Sequence, residues 1–370
     1  MTQAELLALE ESHRAAQARL GLIASYVAAR IWEEEGGGGP NWLADALLII
    51  QAVRIMSRRL YKAYYRYARV LETGYSLGNP ESVEGERIIM QVFVDEYREA
   101  LEDVAELGYR VEADDPIQLE FEELVYDYLP QAEQEEGNFL DVDIEQYIDD
   151  WEDSIESDPQ QFVEVDEFDW SEVDELLDEM MDGLEEVLQR DVIDASEEKL
   201  KELESQKDSI IDFDAKLKER QDADRDFGAG RIDRYSINDG RRITPEMIPL
   251  DRRIKGVARG LGPNPCGFCA MLASRGFVYR SKVSATAAGG SSSIKRYHDN
   301  CHCYPIVRWI DASELPIANE WLQDQWYKVA AGREAGDARR TWRRWWDRTG
   351  RKQYWALIGE EPAIPSETVA

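Results

Sequence analysis

The chain has 370 residues, of which 43% are hydrophobic and 10% aromatic, enough for roughly two or three folded units with buried cores. Its formal charge of −33 is unevenly placed, because residues 111–189 hold 31 Asp and Glu and no Lys or Arg. Such a balance excludes a general nucleic-acid binder, since any contact with phosphate would need a local basic face to overcome the overall repulsion.

The first residues, MTQAELLALEESH, contain neither a basic nor an apolar leader, so no signal peptide is expected and the chain reads as made in the cytoplasm. Thr2 and Glu5 form a Thr-x-x-Glu capping box, and Leu6, Leu9, Leu20, Ile23, Val27 and Ile31 recur at helical spacing. This predicts a first helix over 2–34, with His13 on an exposed face, stopped by the Gly36–Pro40 breaker. Asn41 is the expected cap of a second helix running to Gly74 through Leu43, Leu47, Ile50, Val53, Met56, Leu60, Tyr64, Tyr67 and Leu71. The stretch Trp42–Val53 is interrupted by Asp45 and Gln51 and is shorter than the roughly 20 residues a bilayer needs, so no membrane partner is expected. The second helix also interleaves Arg54, Arg58, Arg59, Lys62, Arg66 and Arg69 with tyrosines. Such a face can grip a nucleic acid, or it can pair with acidic residues elsewhere in the chain, and the second reading is preferred. A third helix is expected over 82–107.

The acidic block retains apolar residues such as Leu124, Tyr128, Ile144, Trp151, Leu176, Leu177 and Leu184, which fits short amphipathic helices, the last beginning at Ser171 and running past Leu200. Asp222 to Asp233 resembles a Ca²⁺ loop, but the sixth position is Phe227 rather than Gly and the twelfth is Asp233 rather than Glu. From Gly228 onward short mixed segments are expected: Arg231–Tyr235, Ile243–Pro245 and Leu250–Gly260. Next come a helical turn over 271–275 and a strand over 277–279. Residues 284–293 form a Ser/Ala/Gly loop, and a last strand is expected over 304–309. Trp342, Trp345 and Trp346 share one helical face from which Arg343 and Arg344 point away. That face can pack on the protein body or meet a partner.

All four cysteines and two of the three histidines fall between 266 and 303. Cys266-Gly-Phe-Cys269 and His298-Asp-Asn-Cys301-His302-Cys303 outline a closed tetrahedral Zn²⁺ site, a structural rather than catalytic kind. The expected ligands are Cys266, Cys269, Cys301 and Cys303, with His298 able to replace one sulfur. His302, wedged between two ligands, should point away from the site they share. Two disulfides or four free thiols are the alternatives.

CGFCAMLASRGFVY followed by YHDNCHCYPIV resembles the carboxyl-terminal part of the MuF-like minor capsid proteins of tailed phages, especially those infecting actinobacteria. The family's Cys-x-x-Cys and His-x-x-Cys-x-Cys motifs stand here at Cys266, Cys269, His298, Cys301 and Cys303. Asp299 and His302 stand where many relatives carry Pro and Arg. The resemblance covers residues 240–310. It implies a structural head-morphogenesis protein that joins the procapsid near the portal. Portal or major capsid protein would be its partners, packaged DNA is a further expected contact of the basic carboxyl terminus, and the virion head, reached from the host cytoplasm, would be its final location.

No Gly-rich phosphate loop, Gly-x-Ser-x-Gly or His-Glu-x-x-His motif is present, and no catalytic residue is assigned. A capsid maturation protease and an ADP-ribosyltransferase-like enzyme are the enzymatic alternatives, and a zinc-module DNA-binding head protein is the third. The expected architecture is α+β and predominantly α-helical. A helical amino-terminal region (1–110) and an acidic helical insertion (111–205) lead into a small α+β domain bearing the Cys/His cluster (206–310). Trp/Arg-rich helices (311–370) end the chain.

Overall fold

The computed structural model describes residues 3–78, 87–112, 162–166, 168–178, 183–262, 264–278, 301–310 and 315–358. It is dominated by helices with a few short strands. Helix α1 spans Gln3–Glu34 and α2 spans Pro40–Thr73. Asn41 is not the cap of α2; Gly39 is, and Pro40 opens the helix, where its fixed φ suits the first turn and its missing N–H costs nothing. Gly74 closes α2 in the left-handed conformation, φ 73°. The third helix, α3, is Gln91–Glu112. It begins later than expected because Arg87–Ile89 is a strand, β2. Its antiparallel partner is β3 (Phe162–Asp166) from the acidic block, which also pairs in parallel with β1 (Tyr75–Leu77). After α4 (Ser171–Asp178), the run expected to continue past Leu200 restarts at Gly183. It becomes α5 (Leu184–Leu188), a π turn (Gln189–Asp194) and α6 (Ala195–Ser205).

The largest departure is α7, a single helix over Phe213–Leu250 where short mixed segments are expected. It passes through the incomplete Ca²⁺-loop pattern, several glycines and Pro245. Tertiary packing overrides those local preferences: from Gly228 to Met247 nearly every residue is buried against α1 and α2. At Gly240 the backbones come so close that an added Cβ would lie 2.5 Å from Ser57 Oγ and 2.6 Å from its carbonyl oxygen. Ser57 in turn donates to Gln17 Oε1 at 3.2 Å, so α1, α2 and α7 meet at one point. Leu20, Ile23 and Val27 of α1, Ile50, Val53 and Leu60 of α2, and Ile232, Ile237 and Ile243 of α7 fill the common core.

The basic face of α2 turns inward on acids, as preferred from sequence. Arg54 is bidentate on Asp239 of α7 at 2.8 and 2.7 Å, and Arg58 reaches the same carboxylate at 2.8 Å. Lys62 meets Asp174 of α4 at 2.6 Å, and Arg69 meets Asp251 at 2.9 Å. Asp251 also accepts from Tyr65 and from Trp309 Nε1, at 2.9 and 2.7 Å.

His13 is not exposed. It is fully buried on α1, stacked on Tyr64 with ring centroids 4.0 Å apart and edge-on to Tyr61 at 4.8 Å. Neither ring nitrogen has a hydrogen-bond partner among the described residues. Burial pulls its pKa from 6.5 down to about 3.

Two outcomes follow. Asp239→Ala, which leaves Arg54 buried without its carboxylate, should cost about 3–5 kcal/mol in urea unfolding. The unfolded chain takes up the His13 proton near pH 6.5, whereas the folded chain does so only near pH 3. Stability should therefore be fully present above pH 6.5 and fall by up to about 5 kcal/mol as the pH drops towards 3. His13→Phe should flatten that acid limb relative to wild type, and an unchanged slope would refute the assignment.

Candidate metal centre

Strand β4 (Gly256–Gly260) pairs antiparallel with β5 (Tyr304–Arg308), matching Val257 with Val307 and Ala258 with Ile306. The Cys-x-x-Cys segment follows β4 and opens a short helix, α8 (Gly267–Ala273), while Cys301 and Cys303 lead directly into β5. The ladder therefore brings the two cysteine pairs together. The helix expected from Met271 begins four residues earlier, and the turn at Gly276 (φ 66°) ends the segment as expected. Phe277 and Val278 lie in no strand, and Tyr279, the last residue of the expected strand, lies outside the described residues.

Cys269, Cys301 and Cys303 are buried, and their sulfurs all lie within 4.8 Å of one another, a group that could bind a metal ion. Cys269 Sγ and Cys301 Sγ are 3.7 Å apart. A tetrahedral ion with about 2.3 Å bonds to sulfur sets its ligands about 3.8 Å apart, so this spacing fits two sulfurs on one ion. It is far too long for an S–S bond, and all four thiols are free. Cys266 sits at the rim, half-buried, as the N-cap of α8, and its sulfur accepts from the backbone N–H of Cys269 at 3.4 Å. Hydrogen bonding to Cys266, Cys301 and Cys303, then burial, holds the Cys269 thiol well above the usual range. For Cys303 the bond to Cys269 pulls downward, but the bond to Cys301 and burial outweigh it. Without a cation these groups are thiols, and an incoming metal must displace their protons. Arg259 of β4 brings positive charge to the cluster, with Nη1 3.9 Å from Cys269 Sγ. His298 lies outside the described residues, as does the Ser/Ala/Gly loop over 284–293.

The cluster is braced from the carboxyl-terminal side. Helices α9 (Ile317–Val329), α10 (Ala335–Trp345) and α11 (Arg351–Ile358) share one core with the buried cysteines. Trp342 Nε1 donates to the Gly267 carbonyl at 2.8 Å, Trp346 Nε1 to Pro265 at 3.1 Å, and the Tyr354 hydroxyl to Gly262 at 3.2 Å. The tryptophan face thus packs on the protein body, gripping the turn that carries the first cysteine pair. Asn319 of α9, fully buried, donates to the carbonyls of Arg259 and Ala273 at 2.8 and 3.1 Å. Neither Arg259 nor Asn319 is legible in the sequence, because neither belongs to a motif, and Asn319 acts across 60 and 46 residues of chain.

The family model described as VG15 protein matches residues 206–329. The match covers about a third of the chain, takes in both cysteine pairs, and points to a phage protein family. Neither a curated protein nor a solved structure matches the chain. Among the described residues no helix is long and apolar enough to cross a membrane.

His302 turns away from the sulfurs. Its Nε2 lies 3.1 Å from Asp233 Oδ1 on α7, the carboxylate buried and the imidazole largely so. Gly21 of α1 makes room for this pair, since a Cβ there would meet the Asp233 oxygen at 2.1 Å and His302 Nε2 at 2.8 Å. Arg241 of α7 donates to the Cys301 carbonyl. The peptide carrying two of the sulfurs is therefore tied to the helical core on its other side. His302→Ala should leave a buried carboxylate without its partner and destabilise the protein by about 1–3 kcal/mol, while leaving bound metal per chain unchanged. Loss of metal in this variant at a temperature where it stays folded would contradict that separation.

Proposed function

We propose that this chain is a structural minor head protein of a tailed phage, joining the procapsid near the portal, with a structural Zn²⁺ held by Cys266, Cys269, Cys301 and Cys303. The observation that carries the reading is a coincidence of place. The phage family match spans 206–329, and the cysteine pairs whose motifs resemble MuF-like minor capsid proteins lie inside it. Three buried thiols that converge, with the Cys266 thiol at the rim as the fourth, are the soft donor set a structural Zn²⁺ site uses, and the Arg259 guanidinium nearby would offset the charge of the thiolates.

A non-enzymatic role is supported by the state of the two described histidines. His13 is neutral and enclosed by tyrosines, and His302 is spent on Asp233 inside a space limited by Gly21 and Gly262. A general base has to reach its substrate, and neither ring does.

Protein purified with reductant should carry close to one zinc per chain, and less than about 0.2 would refute the metal reading. Cys301→Ser should lower that content and open 266–303 to protease while the amino-terminal helices stay folded. If loss of His298 releases metal and loss of Cys303 does not, the set is Cys₃His. For the head role, mass spectrometry of purified proheads and virions should find the protein in few copies, and its absence from both would overturn the reading. Specific cleavage of co-expressed major capsid protein, abolished by one Ser substitution, would instead establish the protease.

A further inference from the structure

The cations of this chain divide into two populations. Those of α2 are paired with carboxylates, the most deeply buried being Asp239 and Asp251. Those of α10 and the turn after it are paired only in part. With Ala338, Trp342 and Trp346 committed to the core, the opposite face of the same helix carries Arg339, Arg340, Arg343, Arg344 and Arg348, all exposed. Two carboxylates lie among them: Asp337 pairs with Arg340, and Asp347 stands 4.0 Å from Arg343 and 3.7 Å from Arg351. Arg339, Arg344 and Arg348 have no carboxylate partner among the described residues. In a chain with 76 acids against 43 bases, unpaired guanidinium groups gathered on one surface stand against the general trend of composition.

We propose that this arginine face of α10 is a sequence-independent docking surface for the phosphate backbone of a nucleic-acid duplex. Its chemistry selects that partner over an acidic protein. A protein interface is anchored by buried apolar or aromatic side chains at its centre, and this face is charged throughout, its tryptophans being turned the other way. Guanidinium groups bind phosphate oxygens bidentately and keep their charge at any physiological pH. From Arg339 to Arg348 the helix rises about 13 Å, the axial length of roughly four phosphates on one strand. The rigid seat matters as well. Trp342 and Trp346 are pinned to the backbone carbonyls of Gly267 and Pro265, so the row is held in place before any partner arrives. Because the chain as a whole is strongly acidic, the contact should be weak and local: detectable at low salt, lost near physiological salt, and effective where nucleic acid is already concentrated.

The inference stands apart from the head-protein reading, since it concerns one helix face. It is tested with the full chain, by fluorescence anisotropy of two labelled 20-base-pair duplexes of unrelated sequence between 20 and 200 mM NaCl. Wild type should bind both alike. The triple variant Arg339→Gln, Arg344→Gln, Arg348→Gln should bind at least ten-fold more weakly at 50 mM salt, with a log–log salt slope shallower by about 2–3. All three side chains are exposed, so the variant should keep the wild-type melting temperature. A folded variant that binds as wild type does, or a wild type that binds neither duplex at 20 mM salt, would overturn the proposal. Tighter binding of polyglutamate than of duplex would assign the face to an acidic protein instead and also overturn it.

Discussion

The structure depends first on the pairing of α2 cations with acids of α7 across a buried interface. Asp239 receives both Arg54 and Arg58, and Asp251, at the end of α7, receives Arg69, Tyr65 and Trp309. A buried ion pair adds little net stability over an apolar pair of the same shape, but losing one member leaves an uncompensated charge and is severely destabilising. Such pairs therefore act mainly on alignment: a slide of α7 by one turn along α2 would strand several charges at once. At the far end of the same interface Arg308 of β5 pairs with Glu10 of α1 and stands 3.3 Å from Glu72 of α2. The strand that carries Cys301 and Cys303 into place is thus fixed by the same kind of contact, and the geometry of the sulfur cluster inherits the register of the helices.

How much of this could be read from sequence varies with the range of the contacts that decide each element. Helices α1 and α2, the start of α4 at Ser171 and strand β5 follow from local periodicity and caps, and they stand within a few residues of expectation. Helix α7 was hidden because its glycines and prolines spell breaks to a local reading. Gly240 serves a different purpose, letting two backbones approach at Ser57, and that purpose exists only once α2 is in place. Strands β2 and β3 were missed for a related reason, being joined to each other from opposite sides of a long acidic stretch. His13 shows the limit of face-by-face helical reading: α1 is buried on more than one side, so a polar residue off its main apolar stripe still enters the core.

The cysteines were the most legible feature, because the spacing within each pair is local chemistry. Their surroundings were not. Asp233 entered the sequence reading as the last position of a failed Ca²⁺ loop and is in fact the partner of His302. Arg259 and Asn319 come from a strand and a helix on either side of the cluster. Helix α7 and the carboxyl-terminal tryptophan helices both hold one short peptide, 301–303, the former through Arg241 and Asp233, the latter through the shared core with Trp342 and Trp346.

The Arg54–Asp239 pair spans 185 residues of sequence, which has a consequence for synthesis. At about 5–20 residues per second, a ribosome delivers Asp239 roughly 10–40 s after Arg54 has left it. For that interval Arg54 stands on the α1–α2 hairpin without the carboxylate it meets in the finished fold. The stretch translated meanwhile is the acidic block, with 31 carboxylates and no base. Part of it, Asp174, remains paired with Lys62 in the finished fold. The chain thus supplies these carboxylates before it supplies Asp239, and Asp166 and Asp178 likewise stay paired with Arg69 and Arg58 in the finished fold.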